Sequence, residues 1–303
     1  MSRPPAAPPA TDPSADVANA PAGRSPWRDA RVRFLRNRMA VASVVVLAVI
    51  TLLCVFGPML LPNAYDSTDW NLMSAPPTRA GWHLFGTDEL GRDLLVRTLI
   101  GGRISLMVGL LATLVSVCIG VVWGATAGFV GRRTDSVMMR IVDMMYAVPY
   151  LLIAILVVTV FGRNFLLVVL AISALAWLDM ARVVRGQTLS IKSREYVEAA
   201  RAIGVPTWRI IFQHVVPNLM GVVVIYSSIL VPGVILTESV LSFLGLGVQE
   251  PMTSWGVLIH DGAAVMAATP WLILFPAGAL SITLYCANFI GDGLRDALDP
   301  KER

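Results

Sequence analysis

The chain has 303 residues, a net charge of +4, 56% hydrophobic residues, 15% charged residues and a mean hydropathy of +0.69. A soluble domain carries about 25% charged residues, so this composition excludes a single water-facing globule. Three histidines and three cysteines leave little material for metal or nucleophile chemistry, and Cys54, Cys118 and Cys286 each fall in an apolar run, where free cysteine acts as a small hydrophobe.

Residues 1–24 are rich in Pro and Ala, cannot bury a core and read as a disordered tail. No apolar run follows until Met39 and no cleavage pattern is evident, so the tail does not read as a signal peptide. Residues 25–38 predict an interfacial amphipathic helix. Ser25 can cap it, Pro26 suits its first position, and Trp27, Ala30, Phe34 and Leu35 share one face. A soluble basic helix is the competing reading. Apolar runs over 39–61, 104–129, 144–161, 165–178 (extending past Asp179), 215–237 and 271–290 predict about six spans, since crossing the bilayer takes roughly 20 residues. Gly120, Gly124, Pro232 and Pro276 are tolerable inside them.

Lys and Arg set the orientation. With the N-terminus inside, 19 fall on the cytoplasmic side and 5 (Arg79, Arg92, Arg97, Arg103, Arg163) outside, which accounts for all 24. Both termini are therefore expected in the cytoplasm. The same distribution, at the edges of apolar runs, argues against nucleic acid as a partner.

The domain plan is 1–24 tail, 25–38 interfacial helix, 39–103 first span plus outer segment, 104–291 a core of five spans, and 292–303 a cytoplasmic tail. Within the core, 182–214 is a cytoplasmic loop. Its segment from Glu195 through Glu198, Ala199, Ala200 and Arg201 to Gly204 predicts a helix ended by a left-handed glycine. Pro206 stops it, Thr207 can cap a second helix through Trp208, Ile210 and Ile211, and Pro217-Asn218 marks entry to the fifth span. Ala199 and Ala200 offer a small-residue surface to another subunit. A mere connector competes with this reading; a DNA-reading helix pair does not, because spans bracket the loop closely.

At this loop the chain resembles the permeases of binding-protein-dependent ATP-binding-cassette importers, whose permease motif is matched by Glu198-Ala199-Ala200, Gly204 and Pro217. The peptide-importer branch, in particular its C-type subunit, is matched by Phe85-Gly86-Thr87-Asp88-Glu89-Leu90-Gly91-Arg92-Asp93, by Asp179-Met180-Ala181-Arg182 with Val184-Arg185-Gly186-Gln187-Thr188-Leu189, by Leu241-Ser242-Phe243-Leu244-Gly245-Leu246-Gly247, by Ser254-Trp255-Gly256, and by Gly291-Asp292-Gly293-Leu294-Arg295-Asp296-Ala297-Leu298-Asp299-Pro300. The resemblance covers the chain from about Trp27 to its end. It implies an all-α membrane protein of the type I ABC importer permease fold in a bacterial inner membrane. It also implies a second homologous permease, two ATPase subunits on the cytoplasmic loops, an extracytoplasmic binding protein and an oligopeptide substrate. Glu195, Glu198, Ala199, Ala200, Arg201, Gly204 and Pro217 would form the coupling loop.

The chain has no Gly-x-x-x-x-Gly-Lys-Ser/Thr loop, so ATP and Mg are expected on the partner ATPases and no cofactor on this chain. His83, His214 and His260 do not make a His-Glu-x-x-His pair. Gly291-Asp292-Gly293 is expected to start a capped and paired cytoplasmic helix, Arg295 following, rather than to act as an aspartyl protease motif. Asp143 and Asp179 are candidate intramembrane carboxylates and hence candidates for the substrate path or, in a proton-coupled transporter, for a relay, although both sit at the cytoplasmic end of a span. Arg140 and Arg182 stand three residues away from each, a spacing that permits salt bridges instead. Glu238, at the outer end of the fifth span, is a further candidate for the path, the binding-protein face or a solvated position. Residues 250–271 predict an irregular outer segment, partly re-entrant, with Trp255 as an interface anchor.

Overall fold

The structure is a computed structural model that describes residues 26–298; the expected tail over 1–24, the Ser25 cap and Asp299-Pro300 lie outside them. The described residues are helical apart from the outer segments 61–93 and 244–254, which hold one isolated bridge between Thr87 and Asp93, and short turns between the other helices. In chain order the helices are α1 (Pro26–Arg36), α2 (Arg38–Leu60), α3 (Leu94–Val130), α4 (Arg132–Tyr146), α5 (Tyr150–Phe161), α6 (Phe165–Ile191), α7 (Glu195–Ala202), α8 (Thr207–Phe243), α9 (Trp255–Ala264) and α10 (Trp271–Leu298). Five of them are long and apolar enough to cross a membrane, and α4 with α5, bent by 82°, makes a sixth crossing if counted as one.

Each departure from the expected spans has a local cause. Asn37 breaks α1 from α2 and its side chain accepts from the Ala40 amide, capping the first span. α3 begins ten residues before the expected start, because Asp93 caps it through the Val96 amide and because Arg97 and Arg103 find partners. Arg103 donates to the carbonyls of Cys54 and Val55 on α2. The third span is broken rather than straight. Pro149 has no amide proton and restricts Val148 to extended backbone, so the helix cannot run through. α10 runs without interruption to Leu298, so Asp292 lies inside a helix and does not start a new one.

α3 and α6 form the centre and pack along most of their length. The close approach is made by Gly120, Gly124 and Gly128, one per turn of α3: a Cβ on any of them would come within 3.0 Å of Met180, Ala181 or Thr188 of α6. Helices in lipid gain little from burying apolar surface against one another, so small residues that admit backbone contact do this work. α8 packs on α3, α6 and α10, while α2 lies against α3 and α10. α1 lays Ala30 and Phe34 toward α10 and leaves Trp27 and Leu35 exposed.

Candidate functional site

At the outer end, the 85–93 motif is a turn that launches α3. Gly91 has φ +74° and a Cβ there would strike the Asp69 backbone. Asp88 accepts from the Leu90 and Arg92 amides and pairs with Arg92 Nε at 2.7 Å and Arg97 Nη1 at 2.9 Å. Arg92 Nη1 reaches Glu250 at 2.9 Å, tying this turn to the segment after α8. Burial alone would depress the Arg92 guanidinium, but its hydrogen bonds to Glu250 and Asp88 outweigh this and raise it.

Below that cluster α9 is locked to the bundle. Trp255 is buried, 1% exposed, and its indole donates to the Thr98 carbonyl at 2.9 Å. It is therefore a core residue and not the interface anchor expected, and the segment around it is a regular helix capped by Ser254. Glu238 is also 1% exposed. Its carboxylate accepts from Ser105 at 2.9 Å and Ser242 at 2.7 Å, with Ser239 at 3.4 Å, and Ser254 donates onward to Ser242. This enclosure leaves Glu238 out of contact with solvent in this structure.

At the bend between α4 and α5 the charges pair differently from the helical spacing. Arg182 reaches across to Asp143 at 2.7 Å and stacks over the Tyr146 ring at 4.0 Å. Tyr146 donates to Asp179. Neither the Arg140–Asp143 nor the Asp179–Arg182 pair forms among the described residues, and Asp179 has no ion-pair partner there. The reason is geometric: α4 crosses α6 beside Arg182, so its long side chain meets the neighbouring helix before its own. A turn further on, Arg185 forms a bidentate pair with Asp135 at 2.5 and 2.7 Å.

At the cytoplasmic end α7 closes with a Schellman motif. The Val205 amide donates to Ala200 and the Gly204 amide to Arg201, with Gly204 at φ +81°. The hairpin is fixed from inside by Val197 and Ala200, which pack with Phe129, Val184, Ile210 and Ile211. Ala200 thus faces the chain's own core and is not a surface for another subunit. Glu195, Glu198, Ala199 and Arg201 are exposed, Arg201 lying over the Phe129 ring at 4.5 Å. Thr207 makes no capping bond; it opens α8 directly, with Pro206 before it. Through 211–215 α8 widens into one π turn, and Pro217 follows within the helix. A widened turn accommodates a ring that would clash with the carbonyl four residues back.

Composition-based reading missed one feature of this end. Ile203 is 80% exposed and Trp208 60%, and Phe212 is exposed beside them. These apolar side chains sit on a loop whose basic residues place it in water, not lipid.

The comparisons with known proteins agree with this geometry. Residues 120–303 match the family described as binding-protein-dependent transport system inner membrane component, and residues 25–77 match the N-terminal TM domain of oligopeptide transport permease C. The chain is similar to the oligopeptide transport system permease protein OppC of Haemophilus influenzae, at 57% identity over 93% of this chain and 90% of that one. It is 58% identical to OppC of Escherichia coli K12 over 93% of each. The dipeptide transport system permease protein DppC of Bacillus subtilis is 44% identical, over 91% of this chain and 86% of its own. Among solved structures, the MetNI methionine ABC transporter aligns with a TM-score of 0.55 at 17% identity, over 68% of this chain and 96% of that one, a likeness of fold.

Proposed function

The chain belongs to the family of binding-protein-dependent transport-system inner membrane components, and we propose from that premise that it is one permease half of an ATP-driven oligopeptide importer. A second homologous permease completes the path, two ATPase subunits carry ATP and Mg at the cytoplasmic end, and an extracytoplasmic binding protein delivers the peptide. The relatives named for oligopeptide and dipeptide transport support the substrate class.

The observation that carries the reading is the α7 hairpin. It is rigid from within, yet its outer face presents Ile203, Trp208 and Phe212 to water. Exposed apolar residues gathered on a well-built element mark an interaction site. The ATPase is the occupant of that face, with Glu195, Glu198, Ala199 and Arg201 as its polar rim and Gly204 as the turn that sets its angle. Closure of the ATPases then pulls α7, and α8 with it, as a rigid lever. The test is reconstitution with the partner subunits in vesicles. Peptide uptake that requires ATP and the binding protein is the expected result. Uptake driven by a proton gradient without ATP would instead assign Asp143 and Asp179 to a relay.

A further inference from the structure

The bend between α4 and α5 opens a cavity of about 400 Å³ between α4, α6 and α8, lined among others by Tyr146, Pro149, Leu175, Asp179, Gly233 and Thr237. That is within the size of small-ligand sites, roughly 300–1,000 Å³. Its walls are apolar except for Asp179, the Tyr146 phenol and the Thr237 hydroxyl.

Asp179 is an anomaly in this setting. It lies on α6 just past the apolar run 165–178, three residues before the cytoplasmic loop, and it is exposed. A carboxylate within a spanning helix is almost always paired or turned to a watery cavity. Asp179 accepts a hydrogen bond from Tyr146 and has no cation within ion-pair distance among the described residues. The nearest candidate, Arg182, is committed to Asp143 and stacked on Tyr146. Tyr226 of α8 lies within electrostatic reach of the same carboxylate. The site is thus a carboxylate bonded to one phenol, beside an apolar cavity, with the neighbouring Arg182 guanidinium paired to Asp143 instead.

We propose that this cavity is a station on the translocation path that receives the amino terminus of the peptide, with the ammonium on Asp179 and beside the Tyr146 ring. The inference rests on the importer reading above. Its chemical logic is that peptides differ in every side chain but share a free ammonium. A path that must accept many sequences gains from one fixed carboxylate and otherwise neutral walls. An ammonium is also drawn to the faces of aromatic rings, more strongly when desolvated. The competing occupant is a basic side chain of the second permease.

The test uses the complete complex, with both permeases, the ATPases and the binding protein, in vesicles with labelled trialanine as the probe. Uptake and ATP hydrolysis are measured together. For Asp179→Asn the expected result is a fall of about tenfold or more in peptides carried per ATP, the size of a lost charge-assisted hydrogen bond. Subunit content should stay at wild-type levels, and Asp179→Glu should restore most of the ratio. A second variant guards against misfolding. A Cβ on Gly233 meets nothing within 4 Å, so Gly233→Leu fits the chain but fills the cavity, and it should lower the same ratio. An unchanged ratio in both variants overturns the proposal. So does loss of the second permease from purified Asp179→Asn complex, which would make Asp179 a subunit contact. Absence of ATP-driven uptake in the wild type would overturn the importer reading, and this inference with it.

Discussion

The two ends of the helix bundle solve opposite problems. At the outer end three strong polar groups are answered within the chain: Glu238 has its serines, Arg92 its two carboxylates, Trp255 the Thr98 carbonyl. At the cytoplasmic end the backbone is equally well closed, by the Schellman bonds of Gly204 and Val205, but the side chains of Ile203 and Trp208 are left in water. The outer end uses its polar bonds to hold α9 in place, although Trp70 and Trp82 of its turns are exposed as well. The cytoplasmic end closes its backbone and, in the function proposed above, keeps its apolar face for a partner. The difference is between side chains that bond within the bundle, such as Glu238 and Trp255, and side chains proposed for contact, such as Ile203 and Trp208.

The largest effect should come from the frame that holds both ends. Gly124→Leu would drive a side chain into the backbone at Ala181 and Arg185. The expected outcome is loss of folded protein in detergent extracts, read by size-exclusion chromatography; a monodisperse, normally stable variant would show that α3 and α6 do not need this contact. Next comes the outer lock. Glu238→Ala strips the acceptor from Ser105 and Ser242 and should cost about 2–4 kcal/mol, seen as a lower thermal midpoint, with Glu238→Gln milder. Equal stability for Glu238→Ala would mean the outer end is not held by this network.

Gly204→Val should cost less, roughly 1–2 kcal/mol for a left-handed backbone with a branched side chain, because no neighbour lies within 4 Å to clash. Its effect on uptake should be far larger than its effect on the thermal midpoint, because the angle of α7 is what changes. A proportionate loss of both would make the loop a plain connector. The smallest effect belongs to Glu250→Ala. Its side chain is 62% exposed, and an exposed pair with Arg92 is worth about 0–1 kcal/mol; a midpoint shift well beyond that range would place Glu250 in the outer lock itself.

Much of this was legible in the sequence. Apolar runs and the 19-to-5 division of Lys and Arg give the crossings and their direction, and Gly204 with Pro206 gives the hairpin. What escaped did so for physical reasons. Helix α3 extends outward past Arg103 and Arg97 because those charges find partners in the fold, and hydropathy cannot see a partner. The pairing of Arg182 with Asp143 depends on where α4 bends, a tertiary matter. Ala200 was expected outside and is inside, sharing with Val197, three residues before it, the face turned to the core; a small side chain such as alanine suits either side of a helix. The one signal present but unread was the spacing of Gly120, Gly124 and Gly128, four residues apart, which marks the contact with α6.

The central claim is that the exposed face of the α7 hairpin is where the energy of ATP enters this chain. The direct measurement is the amount of ATPase subunit that co-purifies with Ile203→Glu and Trp208→Glu variants, set beside their thermal midpoints. Both side chains are mostly exposed, so the midpoints should stay within about 0.5 kcal/mol of wild type, as for ordinary surface substitutions. Bound ATPase should fall about tenfold or more, as burying a charge in an apolar contact predicts. Wild-type ATPase association in both variants would contradict the account.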